Sequence, residues 1–194
     1  KALLRWQEAK TVFHELGHAL HALLSDVPYP ILSWIHVPPD FVEFPSQLLE
    51  CWLERPEILQ RFARHAETGE PIPPSLVQSI ADSRKFGMGY ATLEYASSAM
   101  LDLALHSAAG GEDVPVDVFE KAFKERIGLP ADVGLRHRAA NFSHIFSGTG
   151  YYASAYYSYL WAEMLAADGF SAFQEAGAIF DPTVSHQLCS FVFS

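Results

Sequence analysis

The chain has 194 residues, 49% hydrophobic and 19% charged, with a formal net charge of −10. That length supports a real core, and the apolar richness predicts buried helices or surfaces that meet a partner. The acidic balance and the scattered basic residues argue against a nucleic-acid partner, and no apolar run reaches the ~18 residues of a membrane span.

The opening "KALLRWQEAKTVF" lacks the apolar run and small-residue cleavage site of a signal peptide. Residues 7–25 carry helical apolar spacing at Val12, Phe13, Leu16, Ala19, Leu20, Leu23 and Leu24, and "VPYP" (27–30) stops the helix. "ILSWIHV" (31–37) reads as a short strand or extended segment. "PPD" (38–40) is a turn opening a second helix to about Leu53, with Asp40 as its N-cap. Residues 55–67 predict another helix and "TGEPIPP" (68–74) a loop. Ser75–Phe86 and Tyr90–His106 read as helices broken at "GMG", with Met88 and Met100 in the core. "AAGGEDVPVD" (108–117) is the most linker-like stretch, and 118–126 is helical. "FSGTGYYASAYYSYLW" (146–161) leads into a helix ending near Asp168. Cys51 and Cys189 lie outside any CxxC pattern and read as free thiols. The chain opens almost inside a helical pattern and stops at "CSFVFS" among apolar residues, which reads as a piece of a larger protein.

Within "TVFHELGHALHALLS", His14 and His18 are i and i+4, stacked on one helix face about 6 Å apart along the axis. Two imidazoles so placed can converge on one ion with bonds near ~2.0 Å. Glu15 cannot share that coordination position, yet can reach a water beside the ion, as a general base must. The bland alternative is a core-edge helix with incidental histidines. Gly17 speaks against it: glycine costs about 1 kcal/mol in a helix and admits a close neighbour. Leu16, Ala19, Leu20 and Leu23 supply the apolar surface that would bury the helix.

A catalytic zinc needs a third protein ligand and an open position. The metzincin pattern fails, since positions 21 and 24 are His21 and Leu24, and a short-spaced glutamate fails at Val37 and Pro38. Asp40 and Glu43 are the next acids. Glu43 lies inside a helix that can pack on the first, whereas Asp40 suits a cap.

"FHELGHALHALLS" followed by "DFVEFPSQLLECW" resembles the thimet oligopeptidase family of zinc metallopeptidases, of oligopeptidase A and peptidyl-dipeptidase type. The resemblance continues through "FGMGYATLEYASSAMLDLALH" (86–106) and "LRHRAANFSHIFSGTGYYASAYYSYLWAEMLAADGF" (135–170). It implies Glu43 as third ligand beside His14 and His18, one Zn2+ per chain, and Glu15 as general base. It further implies that His144 and tyrosines of the last block bind substrate and stabilise the oxyanion. Tyr156 and Tyr159 match two of them. Counting back from "YYSYLW" gives Tyr152 as the loop tyrosine and counting forward from His144 gives Tyr151, so both stay open. A phenol is a neutral donor at pH 7, suited to a developing oxyanion, and Gly148 and Gly150 would let the loop move.

The implied fold is mainly α, a zincin-like helical catalytic core of a two-lobed channel peptidase with at most a short β segment. Residues 1–194 read as a partial catalytic domain lacking the N-terminal lobe and the C-terminal end. The implied function is hydrolysis of peptide bonds in short peptides, by a monomer at full length, in the cytoplasm, with mitochondrial or periplasmic settings left open. The rival is a truncated or decayed peptidase domain serving as a non-catalytic binding module; an unrelated metal hydrolase is a second. Glu50 and Ser46 are candidate outer supports of the metal ligands, Glu50 equally a surface residue, and His21 reads as a group at the site rim or behind the ligands, not as a ligand. His36, His65, His106, His137 and His186 read as structural or exposed, and Arg136 and Arg138 as salt-bridge residues in preference to partners of a substrate carboxylate.

Overall fold

A computed structural model describes residues 3–108 and 114–194. The described residues are mainly α, as the sequence predicts, and the isolated bridge between Arg64 and Pro71 is their β pairing. The helices are α1 (Trp6–Leu24), α2 (Pro39–Leu53), α3 (Pro56–Phe62), α4 (Pro74–Ser83), α5 (Met88–Ser107), α6 (Val116–Arg126), α7 (Ser158–Glu175) and α8 (Pro182–Leu188). Proline opens α2, α3, α4 and α8, where its fixed φ suits the first turn and its missing N–H is no loss. No described helix is long and apolar enough to cross a membrane.

The chain divides into two compact units, Lys1–Phe86 with Tyr159–Ser194, and Gly87–Ser158. The core of the first joins Leu48 and Trp52 of α2, Ile58 of α3, and Ala166, Phe170 and Phe173 of α7. Trp52 stands edge-on to Phe170 and Phe173 at 4.8 and 4.9 Å and donates its indole N–H to the Ile179 carbonyl. Asp181 caps α8 through the Thr183 and Val184 amides. The second unit packs Leu101 of α5 and Phe123 of α6 with Phe142 and Ile145. There the Arg138 guanidinium pairs with buried Glu120 at 2.7 Å, the structural role expected of it, while Arg136 faces Glu94 at 3.8 Å.

Several local expectations need correction. Residues 31–37 are not a strand; they form two 3-10 turns, Pro30–Leu32 and Trp34–His36, because prolines flank the run and the Ser33 hydroxyl folds back on the Pro30 carbonyl. Asp40 is not the N-cap of α2: Pro38 holds that position and Asp40 lies in the first turn. The helix expected over 55–67 ends at Phe62, where the chain turns into the Arg64–Pro71 bridge. The helix expected to end near Asp168 runs to Glu175, through Gly169. Met88 and Met100 are exposed, at 56% and 48%. Leu16 and Leu23 are exposed too; α1 buries Gly17 and His21 instead. Cys51 and Cys189 are free, as expected. Of the linker-like stretch 108–117, residues 109–113 lie outside the described residues.

Candidate metal centre

Two packed helices of the first unit build the site. Gly17 of α1 is buried against the α2 backbone, where a Cβ would stand 2.4 Å from both the Pro45 carbonyl oxygen and the Ser46 Cα. Only glycine permits that approach. It brings α2 close enough for the Glu43 side chain to reach the histidine face of α1.

His14 and His18 present their rings at 4.9 Å, nearly perpendicular. Glu43 Oε2 lies 3.3 Å from His14 Nε2 and 3.4 Å from His18 Nε2. One donor atom from each of the three lies within 4.8 Å of the others, and all three residues are half-buried. Zinc bonds of ~2.0–2.1 Å in tetrahedral array put neighbouring donors about 3.3 Å apart. The two imidazoles and the carboxylate therefore fit such an ion in donor type and in spacing.

Outer contacts fix the donors. The Ser46 hydroxyl, buried, lies 2.9 Å from both Glu43 Oε2 and the Glu43 carbonyl oxygen. His14 Nδ1 lies 2.8 Å from Glu50 Oε1. A carboxylate only accepts, so Nδ1 carries a hydrogen, which leaves Nε2 as the nitrogen that would face an ion. Glu50 Oε2 in turn meets Lys10 Nζ at 2.8 Å. Ser46 and Glu50 thus make the supporting contacts the sequence proposed for them. His18 Nδ1 is buried without a hydrogen-bond partner among the described residues.

Charge follows the geometry. Burial opposes a charge on His14, but Glu43 and Glu50 outweigh it and lift its pKa to about 9. Burial likewise opposes the Glu43 carboxylate, yet contacts from His14, His18 and Ser46 hold it well below the usual range. Burial also resists the charge of Glu50, which His14 and Lys10 nevertheless keep ionised. The His14 ring thus lies between two carboxylates, Glu50 at Nδ1 and Glu43 at Nε2.

Glu15 is exposed on α1. Of the two places expected for His21, the rim is excluded. It is buried, edge-on to Phe41 at 6.1 Å and tilted against Phe193 at 6.2 Å, with burial first and His18 second lowering its pKa. Tyr159 lies on α7, where its carbonyl accepts from Gln47 Nε2.

The other predicted residues belong to the second unit. His144 sits on a 3-10 turn, Ser143–Phe146, with its ring 4.6 Å from Tyr152 and 5.6 Å from Tyr156. Tyr151 is exposed and meets Tyr152 edge-on at 5.1 Å. Gly148, Thr149 and Gly150 all take positive φ, which explains the glycines of this loop. Tyr156 stacks on Tyr95 at 5.0 Å, and burial raises its phenol pKa. Its carbonyl accepts from the Tyr95 hydroxyl.

The loop is anchored by a residue the sequence reasoning passed over. Asp102 of α5, fully buried, accepts the Ser154 amide at 3.0 Å and the Tyr156 amide at 2.8 Å, and meets His106 Nδ1 at 2.7 Å. A lone acid in the apolar run "AMLDLAL" was the available signal. For Lys10 the signal was its i, i+4 spacing to His14.

The chain is similar to curated peptidases over most of its length. Dipeptidyl carboxypeptidase of Escherichia coli K12 is 42% identical over 181 residues, 92% of this chain and 26% of that protein. Organellar oligopeptidase A, chloroplastic/mitochondrial, of Arabidopsis thaliana is 39% identical over 182 residues, 91% of this chain and 22% of that protein. Oligopeptidase A of Haemophilus influenzae is 36% identical over 184 residues, 93% and 26% respectively. The chain spans about a quarter of the length of these curated relatives. With the model of Peptidase family M3 matching residues 1–187, the chain belongs to Peptidase family M3.

Proposed function

We propose that this chain carries the zinc centre of an oligopeptidase that hydrolyses peptide bonds in short, unstructured peptides. The observation that carries the reading is the convergence of His14 Nε2 and His18 Nε2 on Glu43 Oε2 at 3.3 and 3.4 Å, in a chain of this family.

His14, His18 and Glu43 would hold one zinc ion, oriented by Glu50 and Ser46. When bound, zinc supplies Lewis acidity that polarises the scissile carbonyl and acidifies water. Glu15 takes the proton of the attacking water and delivers it to the leaving nitrogen. His144, Tyr152, Tyr156 and Tyr159 are assigned to substrate binding and to donating hydrogen bonds as the oxyanion develops. Tyr152 is preferred to Tyr151 because it packs on His144 while Tyr151 is exposed.

The test pairs zinc content with chelator-sensitive cleavage of a quenched fluorescent peptide. Glu15→Gln is expected to keep stoichiometric zinc and lose about 10²–10⁴-fold in turnover. Near-normal turnover in that variant would sink the mechanism. A protein without zinc would turn the reading toward a binding module.

A further inference from the structure

We propose that Lys10 is a positioning residue for the metal centre: its ammonium locks the Glu50 carboxylate in the orientation that supports His14. The proposal rests on the metal-site reading above.

Lys10 and His14 stand one turn apart on α1, and Glu50 reaches them both from α2. The carboxylate divides its oxygens, Oε1 to His14 Nδ1 and Oε2 to Lys10 Nζ, each at 2.8 Å. The side chains are 22%, 31% and 16% exposed for His14, Lys10 and Glu50, so the contacts are partly buried. It borders a cavity of about 460 Å³ that Gln47 and Tyr159 also line.

That cavity makes the second contact necessary. A carboxylate held at one oxygen only can swing the other into open space and draw His14 with it. Held at both, its torsions are fixed, and so is the plane of the imidazole. The other cations on the cavity wall are committed elsewhere: Arg84 pairs with Glu54, and Arg55 bonds the Cys51 carbonyl and covers the Phe170 ring at 4.6 Å. Among the described residues, Lys10 is the lysine or arginine in bonding reach of Glu50.

The experiment measures Zn2+ affinity by competition with a chromophoric chelator, and the visible absorption of the Co2+-loaded protein. Wild type is compared with Lys10→Met, Lys10→Arg and Lys10→Ala. Lys10→Met should weaken zinc about tenfold and shift the cobalt bands, as loss of an outer support does, with an unchanged melting temperature of the metal-free protein. Lys10→Arg should retain most of the affinity. Methylammonium should restore affinity to Lys10→Ala, by entering the cavity, and leave wild type unaffected. Unchanged affinity and spectrum in Lys10→Met overturn the proposal while leaving the metal reading intact. Equal weakening in Met and Arg with no amine rescue also overturns it, since Lys10 would then act through packing. A wild type that takes up neither ion overturns the metal reading and this proposal together.

Discussion

Replacing Gly17 by alanine tests whether close helix packing creates the metal site. The new Cβ would lie 2.4 Å from two α2 backbone atoms and 2.8 Å from the Pro45 carbonyl carbon, where ordinary contact begins at 3.4 Å. All three atoms are backbone, so no side-chain rotation relieves the clash, and α1 and α2 must part by about 1 Å. Overpacking costs about 1–3 kcal/mol, and a backbone clash belongs at the top of that range. Alanine returns about 1 kcal/mol of helix propensity. The net loss is about 2 kcal/mol, or roughly 4–8 °C in melting temperature for a chain of this size. The effect on metal should be larger. Glu43 moves with Pro45, and zinc tolerates bond changes of only ~0.2 Å, so a displacement of about 1 Å pulls the third donor out of range. Zinc affinity should fall on the order of 100-fold. Circular-dichroism melts of the metal-free protein and a zinc competition titration measure both quantities. A Gly17→Ala protein with wild-type melting and wild-type zinc affinity would refute the packing argument.

Further outcomes follow from the same contacts. Ser46→Ala frees Glu43 Oε2 from its hydroxyl partner and should cost about tenfold in zinc affinity by the same titration, with the fold intact. On the proposed metal reading, zinc must displace the His14 proton, whose pKa is raised from 6.5 to about 9. Affinity should therefore climb as pH rises from 6.5 and level off above about 9, with a proton released per ion near neutrality. Calorimetry in buffers of different ionisation enthalpy reads that proton, and its absence would contradict the assignment. In the metal-free protein the raised pKa stabilises the fold fully below pH 6.5, and that contribution disappears as pH rises through about 9. Asp102→Asn leaves one acceptor for two amides and the His106 ring, and should destabilise the second unit by about 3 kcal/mol. Faster proteolysis of the 147–156 loop is the accompanying sign, and unchanged melting would refute the anchoring role.

Helix spacing set out the histidine pair, and the family resemblance supplied Glu43 as its partner together with His144 and the tyrosines. His14 and His18 share a face by periodicity, and Glu43, Ser46 and Glu50 share one by offsets of three and seven. Gly17 announced a close neighbour because glycine inside a helix is costly. What sequence could not show was which apolar residues find a partner. Leu16 and Leu23 have the right spacing for a buried stripe yet are exposed, while His21, a polar residue, is buried beside Phe41 and Phe193. "ILSWIHV" has the composition of a strand, but with prolines on both sides it turns twice. The end of α7 was hidden by "DG", a common helix stop. Gly169 instead continues the helix because Phe44 of α2 packs there, 3.2 Å from where a Cβ would be.

The two glycines point to one organising element. Helix α2 presses its backbone on Gly17 of α1 and its Phe44 ring on Gly169 of α7, while Leu48 and Trp52 fill the core of the first unit. Each glycine gives up about 1 kcal/mol of helix propensity, which only a valuable contact would justify. The contact fixes the position of α2, and with it Glu43, Ser46 and Glu50 on the face turned to the histidines. Pro45, buried within α2, adds to this definition: it has no N–H for the Phe41 carbonyl and it limits the backbone of Phe44 before it. The donors are thus held by backbone packing before any ion arrives. Binding then costs little reorganisation, and an outer contact such as Lys10 to Glu50 acts on affinity and not on folding. It follows that the apo protein should keep the α1–α2 packing, and that a metal-dependent collapse of these helices would mean the ion, and not Gly17, sets the site.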